Sequence, residues 1–456
     1  MKADHILTYD EALDWLHSPL RFGLKPGLER MNWMLEELGH PERNLLFVHV
    51  AGTNGKGSTC TFLTHVMLEA GISVGTFTSP YITDFRERIR FNNQLIPQDD
   101  LVRLVDEIKP LVGRCERETE YGCPTEFEVI TLLAICYFGR VVRPAIVIWE
   151  TGLGGRLDST NVVHPIISVI TNVGLDHTNV LGSTIGEIAL EKAGIIKSGV
   201  PVVVGHLHEE ALEVISRITK QKNSRLYRLG NEFYSKPLFT EASRGAQHIE
   251  YGSLFRLNSS TYQLGLLGKH QVQNAGVALM VLDLMREFYA FFVEEEDRKK
   301  GLAQATWPGR LEIVSRKPLC MIDGAHNTEG ITMLVDSLTE LASDTKRVHL
   351  MFSALEDKPL PQMARVLKEA PLEFANVYLT SFDFPRAASV DTLEDAFLMG
   401  GFNQEQLERV DNWEITLREW LSDETKSDET LLICGSLYFI SLVRSIFLIP
   451  VEQVGE

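Results

Sequence analysis

The chain has 456 residues, 44% apolar and 23% charged, with 44 Lys and Arg against 62 Asp and Glu for a net charge of −18. That length is too great for one hydrophobic core and asks for two or three domains, and the composition excludes a disordered or collagen-like chain. The acidic balance, concentrated after residue 300, argues against sequence-independent nucleic-acid binding, so an anionic substrate has to be held by local Arg, Lys and backbone N–H groups.

The opening segment, MKADHILTYDEALDWL, is acidic and has no continuous apolar stretch, and is expected not to be a secretory signal. From there short apolar runs alternate with helical periodicity. Residues 44–50, 72–78, 145–150, 166–173 and 200–205 are expected as buried strands, with helices over 58–70, 126–138 and 184–196 between them. Such alternation predicts an α/β fold whose mostly parallel sheet is covered by helices on both faces. Residues 206–263 lose the rhythm and are expected to form short strands and turns, a small accessory β-region. A helix is predicted over 271–288, and EEEDRKK (294–300) after it reads as a solvated linker. The rhythm restarts after Trp307, with strands expected at 318–323, 347–353, 376–381 and 430–434. Two domains are therefore expected: an N-terminal phosphate-loop domain over 1–297 and a smaller, Rossmann-like α/β domain over 298–456. The six cysteines form no CxxC pair, and Cys320 and Cys434 lie in apolar runs as small hydrophobes suited to a reducing compartment. The apolar segment 437–449 contains Arg444 and is too short to span a bilayer. A cytoplasmic protein with no membrane or nucleic-acid partner is expected.

Chemistry enters at HVAGTNGKGS (49–58), between a strand and a helix. Gly52, Gly55 and Gly57 let the backbone turn tightly, and a helix N-terminus adds its positive end. Lys56 can reach the β- and γ-phosphates, and the Ser58 hydroxyl suits a phosphate or its magnesium, although Gly57 separates the two where the common phosphate loop has them adjacent. These features predict nucleoside-triphosphate binding. The strand 145–150 ends in Glu150, a carboxylate at the sheet edge that suits magnesium. GLGGRL (152–157) is a weak dinucleotide fingerprint and reads better as turn glycines that let a substrate approach the backbone.

The motifs GTNGKGS (52–58), TSP (78–80), ETGLGGRLDSTN (150–161), NVGLDH (172–177), EKAGIIK (191–197), GKHQVQNA (268–275), WPGRLE (307–312), DGAHN (323–327) and CGSLY (434–438) occur in that order. Together they resemble the folylpolyglutamate synthase/dihydrofolate synthase family of the Mur ligase superfamily, over nearly the whole chain. The resemblance implies an ATP-dependent amide ligase that adds L-glutamate to the terminal carboxylate of a folate through an acyl phosphate. It leaves dihydropteroate open as a second acceptor, and a monomer is expected. It further implies that Gly52, Thr53, Asn54, Gly55, Lys56, Gly57 and Ser58 hold ATP, with Asn274 at the base and Arg310 and Asp323 at phosphates and ribose. Ser79, Glu150, His177 and a carbamylated Lys192 would serve two magnesium ions. His326 and Ser436 would bind glutamate, and Arg30, Thr125, Phe127, Gly154, Gly155 and Arg156 would face the pterin and the rest of the substrate. Lys56, Lys192, His177 and His326 carry the catalytic roles on this implication. On the residues alone, His177 reads as a capping or core histidine, Lys192 as an exposed helix lysine paired with an acid one turn away, and His326 as a neighbour of a helix N-cap.

Two other classes compete. A cell-wall Mur ligase shares the chemistry but usually places a domain of about a hundred residues before its phosphate loop, and Gly52 opens the loop here. A phosphate-loop switch protein would turn over ATP without glutamate, and would have no use for the second α/β domain with Arg310, Asp323 and His326.

Overall fold

The computed structural model describes residues 7–18, 27–241, 246–341, 347–372 and 374–448. The apolar runs of the first half form β1 (Phe47–Ala51), β2 (Val74–Phe77), β3 (Ile89–Phe91), β4 (Gln94–Leu95), β5 (Ile146–Glu150), β6 (Ile167–Ile170), β7 (Val202–Val204) and β8 (Leu226–Arg228). They build one eight-stranded sheet in the order β4-β3-β2-β5-β1-β6-β7-β8. Only the β2-β3-β4 edge is antiparallel; the other pairs run parallel. Strands β1, β2, β5 and β6 are buried throughout, as expected where helices cover both faces. One face packs Phe77, Val147 and Trp149 against the helices Gln98–Glu118 and Glu126–Cys136, and the other packs Ala51, Ile170 and Val202 against Ile185–Lys192 and Glu209–Gln221.

The register decides where chemistry can gather. Val50 lies opposite Glu150 and Ala51 opposite Ile170, while Phe77 pairs with Trp149. The chain therefore leaves β1, β2, β5 and β6 at one common edge, at residues 52, 78, 151 and 171. These are the carboxyl ends of central parallel strands, where open α/β sheets bind their ligands.

The accessory region is a three-stranded sheet of β9 (Phe233–Glu241), β10 (Ala246–Ser253) and β11 (Ser260–Leu264), in the order β11-β10-β9. The expectation of strands and turns from residue 206 needs correction at its start. Glu209–Gln221 is a helix that buries Ala211, Ile215 and Thr219 at helical spacing, and β8 after it belongs to the main sheet. EEEDRKK also departs from expectation: Glu295–Gln304 is a helix, and Arg298 within it is buried against Asp283. A block of acids followed by bases hides one residue of a buried ion pair.

The second half supplies β12 (Glu312–Arg316), β13 (Leu319–Ile322), β14 (Arg347–Phe352), β15 (Phe374–Thr380), β16 (Leu407–Val410) and β17 (Glu429–Cys434), in a six-stranded sheet ordered β12-β13-β17-β14-β15-β16. The edge strand β12 is antiparallel and the remainder parallel. Along β17, Leu432 and Cys434 enter one core while Leu431 and Ile433 enter the other, the period-two alternation of a strand covered on both faces. Cys320 and Cys434 are fully buried, as their apolar surroundings predict.

Two compact units result. One comprises Met1–Ser235, Tyr251–Ser260 and Gln273–Leu302, the other Lys236–Glu250, Thr261–Val272 and Ala303–Glu456, so the division runs through the small sheet and the helix Lys269–Tyr289. No helix among the described residues is long and apolar enough to cross a membrane.

Candidate active site

In the first unit the helix Lys56–Glu69 starts at Lys56, two residues earlier than its periodicity suggested, with Gly55 as N-cap at φ +82°. Only glycine suits that position, because a Cβ there would also meet Asn274 Oδ1 at 2.3 Å. The side chain of Asn274, from the helix Lys269–Tyr289, thus lies directly against the phosphate loop. The loop is clamped from β6. The Thr53 and Asn54 N–H groups donate to Asn172 Oδ1 (3.1 and 2.8 Å), and Thr171 Oγ1 donates to the Asn54 carbonyl (2.6 Å). Thr53 Oγ1 donates to the Gly174 carbonyl at 3.1 Å. The amides of Lys56 and Gly57, in the first helical turn, remain the ones suited to a phosphate. Lys56 Nζ folds back to the Gly52 carbonyl at 3.0 Å, so its charge sits over the loop.

Beside the loop, Ser79 N–H donates to Glu150 Oε2 (3.2 Å), and Arg88 Nη1 donates to Ser79 Oγ (3.0 Å). Glu150 and Ser58 are buried. Burial pushes the Cys60 thiol up; the charge of Glu150 acts the same way and that of Lys56 opposes it. Ser79 and Glu150 therefore bring a hydroxyl and a carboxylate together beside a phosphate loop. This oxygen donor set fits magnesium, which binds through one or two carboxylates with phosphates and water supplying the rest. Among the described residues no three His, Cys, Asp or Glu side chains are gathered as a metal-binding group.

His177 takes a left-handed backbone (φ +49°) at the N-cap of the short helix Thr178–Leu181, without a capping side-chain bond, and its side chain is 47% exposed. It is not a core histidine, and it holds the N-cap position through its backbone alone. Its Nε2 lies 4.0 Å from Asp176 Oδ2. Lys192 ends the helix Ile185–Lys192 and is 3% exposed, which overturns the exposed-lysine alternative; the surface pair is instead Glu191 with Arg156, at 2.7 Å.

The remaining first-unit residues form two groups. Arg30 Nε lies 2.9 and 3.0 Å from the oxygens of Glu128 in a buried pair, and Thr125 is the N-cap of Glu126–Cys136 in a capping box with the same Glu128. The Phe127 ring faces Gly152 and stacks obliquely near Phe77. Gly154 and Gly155 pack on Leu181 and on the Glu191 and Lys192 carbonyls. No helix follows Gly152–Leu157, only a single 3-10 turn at Ser159–Val162, so a dinucleotide fingerprint is ruled out.

In the second unit Asp323 is buried at the end of β13. Its Oδ2 accepts from Leu311 N–H and its Oδ1 from Ala325 N–H, both at 2.8 Å. Burial raises its pKa, and the charge of Arg310, whose Nη1 lies 3.1 Å from where a Cβ on Gly324 would stand, opposes the rise. His326 Nδ1 lies 2.7 Å from the Gly324 carbonyl, so Nδ1 carries the proton and Nε2 is the acceptor in the neutral ring. Asn327 Oδ1 accepts from Gly330 N–H at the start of Thr328–Leu341, so His326 does stand just before a capping residue. Ser436 Oγ accepts from Tyr438 N–H (3.2 Å) and caps the helix Leu437–Leu448.

Against known families, residues 50–282 match the Mur ligase middle domain and residues 309–437 the Mur ligase glutamate ligase domain. A dihydrofolate synthase/folylpolyglutamate synthase of Bacillus subtilis is 41% identical over 440 residues, covering 96% of this chain and 98% of that protein. The chain belongs to the folylpolyglutamate synthase/dihydrofolate synthase branch of the Mur ligase family. Among solved structures, the Mycobacterium tuberculosis folylpolyglutamate synthase complexed with ADP and AMPPCP superposes with a TM-score of 0.86 at 27% identity, over 97% of this chain and 99% of that one. A folylpolyglutamate synthase–AMPPCP–folate complex gives 0.82 at 32% identity, over 97% and 100%.

Within this Mur ligase framework, sequence reasoning passed over several residues that shape the site. Asn172 and Thr171 clamp the phosphate loop, and Arg88 holds Ser79. Asp158 organises the glycine turn: its Oδ2 accepts from Leu153 N–H at 2.6 Å, and its Oδ1 accepts from the Thr160 N–H and hydroxyl. The Thr160 hydroxyl also meets His49 Nε2 at 3.0 Å. Burial, with the Lys197 charge adding to it, pulls the His49 pKa down to about 3, so the ring under the loop is neutral. All of these except Arg88 and Thr171 lie inside motifs that were visible; their partners, far away in sequence, were not.

Proposed function

We propose that this chain adds L-glutamate to the terminal carboxylate of folates at the expense of ATP. It is an ATP-dependent acid–amino-acid ligase, and dihydropteroate is proposed as a second acceptor. The observation that carries the reading is the likeness over nearly the full chain to a folylpolyglutamate synthase solved with AMPPCP and folate. An unactivated carboxylate does not form an amide in water, so phosphoryl transfer has to come first. The folate carboxylate oxygen attacks the γ-phosphorus of ATP, forming an acyl phosphate as ADP leaves with the bonding pair. The uncharged amine of glutamate then attacks the acyl carbon, the C–N bond forms, the C–O bond to phosphate breaks, and the amine proton passes to solvent or a nearby base.

Positioning and charge neutralisation carry such a transfer. Lys56 and the first-turn amides hold the phosphates, Asn274 meets the base, and Arg310 and Asp323 serve phosphate and ribose. Magnesium would be held at two sites by Ser79, Glu150, His177 and a carbamylated Lys192, and would neutralise the phosphate oxygens. The burial of Lys192 supports the carbamate, since an amine kept from water reacts more readily in its neutral form with carbon dioxide. His326 and Ser436 bind glutamate: the His326 Nε2 lone pair suits the amino group, and the ring takes part in its deprotonation. Phe127, Arg156, Gly154 and Gly155 contact the folate, with Arg30 and Thr125 shaping the same wall through Glu128. The domain boundary is proposed at residues 297–298, and the active form is a cytoplasmic monomer.

ADP release measured with folate plus glutamate, with dihydropteroate plus glutamate, and with each omitted in turn tests the function. Release that needs both an acceptor acid and glutamate supports it. ATP turnover at an unchanged rate without glutamate would instead indicate a switch protein.

A further inference from the structure

In the second unit β13, β17, β14 and β15 lie side by side and end level, with Ile322 opposite Ile433, Phe352 opposite Cys434, and Phe352 opposite Leu379. The loops that leave these strands form one continuous rim. Gly435 N–H donates to the Ala325 carbonyl (3.1 Å), Ala388 N–H to the Ala354 carbonyl (2.9 Å) and Glu356 N–H to the Arg386 carbonyl (3.0 Å). Gly435 also packs on the loop after β14, since a Cβ there would stand 2.5 Å from the Ser353 carbonyl oxygen. His326, Ser436 and Arg386 therefore share the carboxyl edge of one sheet, where open α/β sheets bind their ligands.

Arg386 is held in place there while its charge stays open to a ligand. The Tyr438 ring, two residues beyond Ser436, stacks on Phe384 with centroids 4.3 Å apart, and the Arg386 guanidinium stands 5.8 Å from the centroid of the Phe384 ring. This stack leads from the loop of Ser436 to Arg386. The ion pair of Arg386 with Asp357 Oδ2 is long at 3.7 Å, and the two side chains are 56% and 54% exposed. Such a pair contributes little, so the planar fork of donors remains available. The chain after residue 300 is acidic, and an anion arriving at this edge needs a local cation.

Glutamate has three groups to place. On the reading above, the His326 Nε2 lone pair takes the amine. Ser436 Oγ already accepts from Tyr438 N–H, so its hydroxyl hydrogen remains to donate, at the first turn of the helix Leu437–Leu448 where an anion is favoured. That suits the α-carboxylate and leaves the side-chain carboxylate to be matched by another donor. An arginine fork fits a carboxylate with two N–H groups on two oxygens. We infer that Arg386 holds the side-chain carboxylate of the incoming glutamate and sets the preference for a dicarboxylic amino acid. The inference deepens the ligase reading and rests on it. The α-carboxylate and the glutamyl tail of the folate share this chemistry, and the experiment separates the three sources.

The test uses the full chain with Arg386→Ala and Arg386→Lys beside the parent. ADP release gives kcat and the KM for glutamate, ATP and folate. L-glutamine, which keeps the amine and α-carboxylate but carries a neutral amide on its side chain, is scored by its inhibition constant against glutamate. Arg386→Ala should raise the glutamate KM about tenfold or more, the loss expected for a hydrogen bond between charged groups, with kcat within about threefold of the parent. The glutamine constant should stay within about threefold, because glutamine never used the charge, so discrimination between the two amino acids collapses. Arg386→Lys, which keeps the charge and loses the fork, should fall between parent and Arg386→Ala. An unchanged glutamate KM in Arg386→Ala would overturn the inference. Equal losses for glutamate and glutamine would do the same, by assigning Arg386 to the α-carboxylate or to the frame of the site, and a loss confined to the folate KM would assign it to the folate tail. A parent without glutamate-dependent ADP release sinks the ligase reading and this inference together, whereas an active parent with indifferent variants sinks the inference alone.

Discussion

Replacing Arg298 by Ala should destabilise the protein far more than its place in a charged run suggests. Arg298 is 1% exposed and Nη1 lies 2.6 Å from Asp283 Oδ1. Asp283 Oδ2 also accepts from the Tyr251 hydroxyl (2.7 Å) and the Ser253 hydroxyl (2.6 Å), and Arg256 Nε stands 3.4 Å from Oδ1. Removing one partner of a buried pair costs about 3–5 kcal/mol, because the other charge is left uncompensated. Arg256 and the two hydroxyls remain, so the lower end applies, about 3 kcal/mol. At roughly 2–4 °C per kcal/mol this is a fall in Tm of about 6–12 °C.

The loss should also depend on pH. Burial raises the Asp283 pKa, but Arg298, Arg256 and the hydroxyls outweigh it and hold the carboxyl below its ordinary value. In the parent its stabilising contribution is present above the ordinary carboxylate pKa and is lost only as the pH falls through the depressed value. Without Arg298 the burial effect is less opposed and the pKa rises. The difference between parent and variant should therefore be greatest at pH 7 and shrink as the pH falls through the raised pKa of the variant, where Asp283 takes up its proton before the parent's does. Scanning calorimetry at several pH values measures both quantities, and an Asp283→Asn, Arg298→Met double variant should recover most of the loss. A Tm change below about 1 °C, or a loss independent of pH, would refute the reasoning.

Lys56→Ala should leave the fold intact and weaken ATP-dependent ligation at least tenfold, since a contact to a charged group is worth about 1.5–3 kcal/mol; wild-type turnover and ATP affinity would remove Lys56 from the site. Glu150→Ala should lose activity at low magnesium and regain part of it at high magnesium, and a magnesium titration identical to the parent would exclude the ligand role. Lys192→Ala should lose activity that short carboxylic acids partly restore, whereas an intact mass showing unmodified Lys192 in the active enzyme would count against the carbamate. His326→Ala should raise the glutamate KM well above any change in the KM for ATP or folate, and the reverse pattern would move the acceptor site elsewhere.

Local signals made most of the scaffold legible. Runs such as IVIWE and ISVI read as buried strands, because nearly continuous apolar residues need cover on both faces. The loop from Gly52 to Ser58 was readable because phosphate binding demands small residues, a lysine and a following helix in one continuous stretch. Where a segment has mixed character, local signal fails. The helix Glu209–Gln221 carries apolar residues at Ala211, Val214, Ile215 and Ile218, a helical spacing that the sequence reading passed over among the turn residues that follow. EEEDRKK looks like solvent-exposed helix or linker from end to end, and only the approach of Asp283 distinguishes Arg298 from its neighbours.

The sequence by itself determined the fold class, the strand–loop–helix that holds a nucleotide, and the ordered motifs of a Mur-type ligase, all of which are written in contiguous residues. Only the tertiary structure decided which side chains meet. Sheet register brings Ser79 to Glu150, and Asn172 reaches across from β6 to the phosphate loop. It also decided that Arg30 is spent on Glu128 and that Lys192 is buried. Pairing between residues a hundred positions apart depends on strand order and on the competition between burial and charge, and neither leaves a mark in the local pattern of the chain.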